Sequence, residues 1–220
     1  GLIAISLRED DDLISVRLTD GEKQVIIGTR DGMLVRFQED DIRSMGRTAG
    51  GVRGIKLRDG DEVVGMEIVE PGQEILVVTE KGYGKQTPAS EYGIKNRGGK
   101  GVKTINVTEK NGILVGLTTV SGEEDIMLMT NQGVAIRFHA KNISQTGRAT
   151  QGVRLIRLAE DSHVSAIAKV EAIEEALAAT PLENETAIDA QLADEPSDEM
   201  ISRMQEFADD ELQDYEESEE

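Results

Sequence analysis

The chain has 220 residues, 38 % of them hydrophobic, and a formal net charge of −19. It contains no cysteine, which excludes disulfides and thiolate metal sites, and it shows neither a membrane-spanning apolar run nor a signal-peptide pattern. Residues 171–220 hold 19 acidic residues and one basic residue, a net charge of −18, whereas residues 1–170 carry a net charge of −1. We therefore expect a near-neutral domain over 1–170 and an acidic tail over 171–220.

The near-neutral part repeats itself with a period of about fifty residues. The segments GLIAISLRED, GVRGIKLRDG, GVKTINVTEK and GVRLIRLAED begin at positions 1, 51, 101 and 152. A second landmark, TRDG, TEKG or TNQG, ends at Gly32, Gly82 and Gly133. Such a fixed register predicts a repeat architecture.

Each unit predicts four short strands. In the first unit, the first strand has alternating apolar residues at Ile3, Ile5 and Leu7, and the second, residues 13–18, follows an acidic turn. The hairpin turn TDGE leads into the apolar strand VIIGT, and a turn ending at Gly32 leads into MLVRF. Glycine with Asp or Asn suits the positive φ of such turns. The corresponding second strands of the next units are 63–69 and 114–120.

Four strands per unit indicate an all-β fold of propeller-like blades. Three full units and the first half of a fourth, 152–170, are present. Propellers close with about 4–8 blades, so we expect this chain to be the C-terminal part of a larger array.

Basic residues concentrate in three Gly-rich windows without Asp or Glu, namely 42–58, 92–108 and 137–157, which lead from one unit to the next. Acidic residues lie instead in turns 9–12, 59–62 and 123–125. The windows contain these candidate binding residues: Arg43, Arg47, Arg53, Lys56, Arg58, Lys95, Arg97, Lys100, Lys103, Arg137, Lys141, Arg148, Arg154 and Arg157.

Stacked blades would place these windows side by side as a continuous positive rim, which is typical of proteins that bind a polyanion. The alternative is that exposed Gly-rich connectors simply tolerate Lys and Arg. Aromatic residues are only 3 % of the chain, which disfavours stacking on single strands, and no recognition helix or zinc finger is predicted. The pattern therefore favours sequence-tolerant binding to the backbone of duplex DNA.

Segments such as LREDDDLISVRLTDG, MGRTAGGVRGIKLRDGDEVVGMEIVE and GEEDIMLMTNQGVAIRF resemble the blades of the C-terminal β-pinwheel domain of DNA gyrase A, across residues 1–170. The resemblance implies a β-pinwheel that wraps DNA and supports ATP-dependent negative supercoiling. It also implies that the partners are duplex DNA, the rest of gyrase A and gyrase B in an A2B2 complex, in the cytoplasm at the nucleoid. ATP and Mg²⁺ would bind elsewhere in that holoenzyme, with no cofactor and no membrane contact in this part.

The diagnostic box of that family reads Gln, then Lys or Arg, then Arg-Gly-Gly-Lys-Gly. Here Arg97, Gly98, Gly99, Lys100 and Gly101 match its last five positions, whereas Lys95 and Asn96 depart from the first two. We therefore expect a box-like loop here and a complete box upstream. Two alternatives stay open: the related C-terminal domain of topoisomerase IV, and a propeller-like module that binds an acidic protein.

No residue of this chain is predicted to be catalytic. The sequence has no P-loop and no winged-helix region with a catalytic tyrosine, and Tyr83 and Tyr92 lie in strand or loop patterns that suggest a structural role. His139 and His163 are isolated, so no metal site is expected. For the acidic tail, the composition favours disorder with short, weak helices over 171–180 and 198–217. Its functional alternative is competition with DNA for the basic rim.

Overall fold

Eleven strands lie within residues 1–172, the part of the chain that the computed structural model describes. The strands are β1 (Gln24–Thr29), β2 (Met33–Gln38), β3 (Val63–Val69), β4 (Glu74–Thr79), β5 (Tyr83–Pro88), β6 (Val102–Lys103), β7 (Leu114–Val120), β8 (Glu124–Thr130), β9 (Ala135–His139), β10 (Val153–Arg154) and β11 (Val164–Glu171). Single 3-10 turns follow β2, β5 and β9 at Glu39–Asp41, Ala89–Glu91 and Ala140–Asn142. In this range no helix is long and apolar enough to cross a bilayer. The predicted tail helices lie outside the described residues.

The strands form three antiparallel sheets. Their orders are β3-β1-β2-β6, β10-β5-β4-β7 and β11-β8-β9. A shift in register recurs at the same place in each sheet, between Gly28 and Thr29, between Val78 and Thr79, and between Val164 and Ala166. The repeat in sequence is therefore a repeat in strand pairing.

Each sheet takes strands from successive units, so a contiguous fifty-residue unit does not make one sheet. The first sheet combines the β1–β2 hairpin of unit one with β3 of unit two and β6 of unit three. The second sheet combines β4 and β5 with β7 and β10 in the same way. The predicted hairpin strands and second strands of units two and three are confirmed. The prediction that the four strands of one unit form one blade is wrong, because each sheet takes strands from successive units.

The predicted first strands of units one and two are wrong, and so is the predicted strand 13–18, since none of these segments forms a strand. The topology explains this difference. A first strand pairs with the hairpin two units earlier, and a second strand with the hairpin one unit earlier. The chain holds no such hairpin for these segments, and Ile5 is 41 % exposed where its equivalent Ile105 is fully buried.

Strand β4 explains why the central strands are almost continuously apolar. Its alternate residues Ile75 and Val77 pack in one core cluster with Ile26 and Leu114, between the first and second sheets. Leu76 and Val78 point the other way, into a cluster that joins the second and third sheets. Because both faces of β4 are covered, its middle residues 75–78 are all apolar, as expected of a doubly buried strand.

The two landmarks of the repeat contact one another and fix the path of the chain between sheets. The carbonyl of Gly32 accepts the N–H of Thr104 at 2.8 Å, and the carbonyl of Gly82 accepts the N–H of Leu155 at 2.8 Å. Each contact ties a hairpin turn to the start of a unit two repeats later. The Gly-rich windows 92–108 and 137–157 are thereby held against the outer strands of the sheets.

Candidate nucleic-acid interface

The three basic windows become three neighbouring connectors, which we call the first (42–58), second (92–108) and third (137–157) connector. Apart from the two-residue strands β6 and β10, the end of β9 and the 3-10 turn Ala140–Asn142, they have irregular backbone. Such short pairing follows from the sequence, because a Gly-rich basic segment has few apolar side chains to bury. The connectors therefore expose their basic side chains along the outer strands.

Equivalent backbone hydrogen bonds join neighbouring connectors. The N–H of Lys56 donates to the carbonyl of Gly99 at 2.8 Å, and the N–H of Asn106 donates to the carbonyl of Thr150 at 2.9 Å. These two bonds involve equivalent positions of successive units. The contact is thus part of the repeat, and it places the three connectors side by side in one row.

Within the described range, most of the predicted binding residues form no ion pair with a carboxylate. Twelve of the fourteen are exposed, and Arg97 and Arg148 are half-buried. Within residues 1–172, ion pairs involve only five cations: Arg17, Lys23, Arg30, Arg137 and Lys141. Three of these five lie outside the connectors. The row therefore concentrates unpaired positive charge in the described part of the chain.

Arg137 and Lys141 differ from the other predicted residues, because the structure places them beside the acidic turn 123–125. Arg137 Nε lies 2.7 Å from Asp125 Oδ2, and Lys141 Nζ lies 3.1 Å from Glu123 Oε1. The β8–β9 hairpin causes this contact, since its register sets Asp125 opposite His139. The expectation that acids lie apart from the basic windows is therefore wrong at the start of the third connector.

Arg97 of the box-like loop holds the first and second connectors together. Its Nε donates to the carbonyl of Asp41 at 3.0 Å, and its Nη1 donates to the carbonyl of Arg53 at 3.2 Å. The N–H of Gly98 donates to the carbonyl of Gly54 at 2.5 Å beside it. Arg97 thus uses part of its donor set to position the loop rather than to contact a ligand.

Arg148, the equivalent of Arg97 in the third connector, packs over an aromatic ring. Its guanidinium carbon lies 5.9 Å from the centroid of Tyr92, a distance at which a cation and a π system attract each other. Tyr92 is buried, and its hydroxyl shares a 2.6 Å hydrogen bond with Thr104 Oγ1. Burial raises the pKa of Tyr92, so the ring stays neutral. The structural role predicted for Tyr92 agrees with this packing.

Gly101 is the last glycine of the box-like loop, and the backbone of β2 approaches it too closely for any other residue. Its φ is +71°, and a Cβ at this position would lie 2.6 Å from the carbonyl oxygen of Leu34 on β2. Gly152 meets the carbonyl of Gly84 at 2.7 Å in the same manner. At Gly99, by contrast, a Cβ would have space. The glycines of the loop therefore differ in role, and Gly101 allows β6 to pair with β2.

Lys95 and Lys100 line a small cavity of about 160 Å³ beneath the box-like loop. Arg36 and Tyr92 form part of its wall. Since both lysines are exposed and make no ion pair within residues 1–172, they add positive charge around this cavity.

Three positioning residues were not identified from the sequence, because their partners are far away along the chain. Arg36 Nη1 donates to the carbonyl of Tyr92 at 3.1 Å, and Gln86 Nε2 donates to the carbonyl of Ala140 at 2.7 Å. Arg36 and Gln86 occupy equivalent positions of the first two units, so they hold successive turns. Lys85 is fully buried and holds the third connector. The one feature of the sequence that could have identified Lys85 is its position in an otherwise uncharged strand, YGKQTP.

The histidines have local structural contacts. His139 Nδ1 accepts the backbone N–H of Lys141 at 3.2 Å and caps a 3-10 turn, while the backbone N–H of His163 donates to Asn131 Oδ1 at 2.9 Å. Among residues 1–172 no three His, Asp or Glu side chains are grouped as a metal ion would require.

Interleaved antiparallel sheets of up to four strands, repeated along the chain with basic connectors at their outer edges, define a β-pinwheel domain. The family described as "DNA gyrase C-terminal domain, beta-propeller" matches residues 1–20, 23–70, 73–121 and 124–171. The chain belongs to this family. The matched segment 23–70 contains three strands of the first sheet, β1, β2 and β3, whereas the fourth strand, β6, falls in the segment 73–121.

Relatives and solved structures agree with this assignment. The chain is 58 % identical over 172 residues to DNA gyrase A of Staphylococcus aureus strain MRSA252, covering 77 % of this chain and 19 % of that protein. It therefore spans about a fifth of the length of this relative. A solved DNA gyrase A C-terminal domain matches with a TM-score of 0.72 and 28 % identity, over 77 % of this chain and 58 % of that one. The C-terminal domain of DNA topoisomerase IV matches with a TM-score of 0.73 and 26 % identity, over 76 % and 53 %.

Proposed function

We propose that this chain binds duplex DNA along its row of connectors, independently of sequence, and bends and wraps the duplex around the domain. The observation that carries this proposal is the repeated connector contact, Lys56 to Gly99 and Asn106 to Thr150. It aligns unpaired cations from three units in one row. Phosphate contacts fix position without reading bases, so sequence preference would come from the ease of bending the duplex.

Family membership supports a role for this domain as the C-terminal part of gyrase A. In that role it performs no catalysis. It supplies wrapped DNA to an enzyme that introduces negative supercoils with ATP, as an A2B2 complex with gyrase B. ATP and Mg²⁺ would be bound by other parts of that complex, and the complex would act in the cytoplasm at the nucleoid.

The test is a titration of fluorescent duplex DNA with the 220-residue chain at several salt concentrations, read by anisotropy. If about 6–10 phosphates are neutralised, the logarithm of the binding constant falls with the logarithm of salt at a slope of about −5 to −9. Absence of binding at about 50 mM salt would overturn the proposal and favour an acidic protein as the ligand of the row.

A matched pair of triple variants separates the row from total charge. Arg53→Gln, Lys103→Gln and Arg154→Gln remove aligned cations, one from each connector. Arg17→Gln, Lys23→Gln and Arg30→Gln remove three cations that are ion-paired to Glu67, Glu70 and Glu62. The connector variant is expected to reduce the slope by about three, at about 0.9 per phosphate, and the paired variant far less. Equal losses would show that only net charge matters.

The topoisomerase IV alternative is favoured by one observation, the TM-score of 0.73 to that domain. The identity of 58 % to gyrase A favours gyrase. The full-length protein that contains this chain, combined with gyrase B and ATP, is expected to supercoil relaxed plasmid negatively. Relaxation without supercoiling would favour the alternative.

A further inference from the structure

An open groove of about 650 Å³ lies at the outer edge of the second sheet, where β10 pairs with β5. Tyr83, Lys110, Arg154 and Arg157 line it. The three cations are exposed, whereas the ring of Tyr83 is buried, with 7 % of the residue exposed. Lys110 lies outside the basic run of the second connector, in the turn TEKNG next to Glu109.

Arg154 is oriented by Tyr83. The two residues are direct partners in the β10–β5 ladder, and Arg154 Nη2 donates to Tyr83 Oη at 2.9 Å. The guanidinium carbon lies 5.4 Å from the centroid of the ring. A hydrogen bond and a cation–π contact together restrict the side chain, while its remaining N–H groups have no hydrogen-bond partner among residues 1–172.

Lys110 reaches the same ring from a different segment. Its Nζ lies 5.7 Å from the centroid of Tyr83. The turn that carries it is fixed, because the N–H of Lys81 donates to the carbonyl of Asn111 at 3.2 Å and the buried Asn111 side chain bonds the carbonyls of Asn106 and Gln151. The backbone therefore holds Lys110 at the ring that Arg154 also contacts, and both cations line the groove.

Two cations thus share one aromatic ring, and within residues 1–172 no carboxylate forms an ion pair with either of them. Two cations that line one groove make its electrostatic potential positive. An anion bound in the groove would be attracted by both of them. A phosphate group suits the site, because Arg and Lys both bind phosphate oxygens through charge-assisted hydrogen bonds.

The first sheet places two cations at the equivalent position, where a methionine stands in place of the aromatic ring. Met33 takes the place of Tyr83, Lys103 is its partner in the β2–β6 ladder, and Arg58 Nη2 lies 3.4 Å from the sulfur of Met33. A pair of cations from two later segments therefore flanks the first residue of the outer hairpin strand in both sheets.

We propose that the Tyr83 groove binds a phosphate of the duplex backbone, with Lys110 and Arg154 as its donors, and that Lys103 and Arg58 form the equivalent site of the first sheet. This inference rests on the proposed function. It adds Lys110, a residue of the turn TEKNG, to the DNA-contacting set and assigns one phosphate site to each four-stranded sheet.

The experiment measures duplex affinity and its salt slope for Lys110→Gln, Lys110→Arg and, as a matched control, Lys23→Gln, whose cation is paired with Glu70. Lys110→Gln is expected to bind about three- to tenfold more weakly at about 100 mM salt, with a slope reduced by about 0.9. Lys110→Arg is expected to retain wild-type binding, and so is Lys23→Gln. Circular dichroism melts confirm that each variant is folded.

The outcomes distinguish the two proposals. If the wild-type chain binds duplex DNA and Lys110→Gln binds with unchanged affinity and slope, the groove is not a phosphate site although the proposed function stands. If the wild-type chain does not bind duplex DNA, the proposed function fails and this inference fails with it. Tyr83→Phe, which removes only the hydroxyl that orients Arg154, is expected to weaken binding less than Lys110→Gln, and a larger effect would contradict the assigned roles.

Discussion

The ammonium group of Lys85 donates to the backbone carbonyl of Arg148 at 2.9 Å and to that of Gly147 at 2.5 Å, although the two segments are 62 residues apart or more. A third bond joins it to Thr87 Oγ1 at 3.1 Å. A fully buried cation therefore holds the third connector against β5. Burial lowers the pKa of Lys85 to about 8, opposed in part by the charge of Glu91.

This pKa predicts a pH dependence of stability. Because an unfolded lysine titrates near 10.4, the unfolded state binds more protons between about pH 8 and 10.4, and the free energy of unfolding gains up to about 1.4 kcal/mol per pH unit from this residue. The gain is present above the unfolded pKa and is lost as the pH falls to about 8. Lys85→Met should lack it. Urea unfolding at pH 7.5, 9 and 10 compares the variant with wild type and with Lys95→Met, an exposed control. Parallel pH profiles for wild type and Lys85→Met would contradict the prediction.

Gly101 is expected to be intolerant of any side chain. Gly101→Ala adds a Cβ that meets the carbonyl of Leu34 and forces an alanine to a φ of +71°. We expect a loss of about 1–3 kcal/mol in the free energy of unfolding, and weaker DNA binding because β6 separates from β2. Gly99→Ala in the same loop is the control and should change stability by less than about 0.5 kcal/mol. Similar losses in both variants, measured by urea unfolding, would refute the steric explanation.

Two pairs of cations in the third connector should differ in their effect on DNA affinity. Arg154→Gln with Arg157→Gln removes unpaired charge, so we expect a slope reduced by nearly two and an affinity at least tenfold lower at about 100 mM salt. Arg137→Gln with Lys141→Gln removes charges already paired with Asp125 and Glu123, and less than a threefold loss is expected. Anisotropy titrations of the two double variants with duplex DNA measure the two losses of affinity. If both lose the same affinity, the ion pairs do not shield the start of the connector.

The acidic tail gives a prediction that rests on charge alone. A chain ending at residue 170 has a net charge of −1 in place of −19. Such a truncated chain is expected to bind duplex DNA more tightly at low salt, and the difference should shrink as salt screens the charges. Titrations at about 50 and 300 mM salt measure it. Equal affinity of the two chains at low salt would rule out competition between the tail and DNA.

The hairpins and the register of the repeat could be predicted because they depend on local patterns. Alternation, apolar runs and turn glycines located β1, β2, β4, β5 and β8 within a few residues. The grouping of strands could not be predicted, because β6 pairs with β2 through only two residues, Val102 and Lys103, whose side chains show no strand pattern. The pairing of β6 with β2 depends on the contact of Gly32 with Thr104, and no local sequence pattern predicts that contact.

The same division holds for the candidate interface. Acid-free windows and their period were sufficient to locate the row of connectors. The neutralised pair Arg137 and Lys141 was missed because pairing across the β8–β9 hairpin brings the acidic turn close. Lys110 was not predicted to bind DNA, because the turn that contains it is acidic in the other units.

The exchange of strands between units also determines how the domain would respond to a broken backbone. A protease that cuts once in the exposed second connector, after Lys100, would produce two pieces that cannot simply separate. The C-terminal piece would still supply β6 to β2 and β7 to β4, and the N-terminal piece would supply β5 to β10. These strand pairs would keep the two pieces associated, and the nicked domain would keep its surface intact.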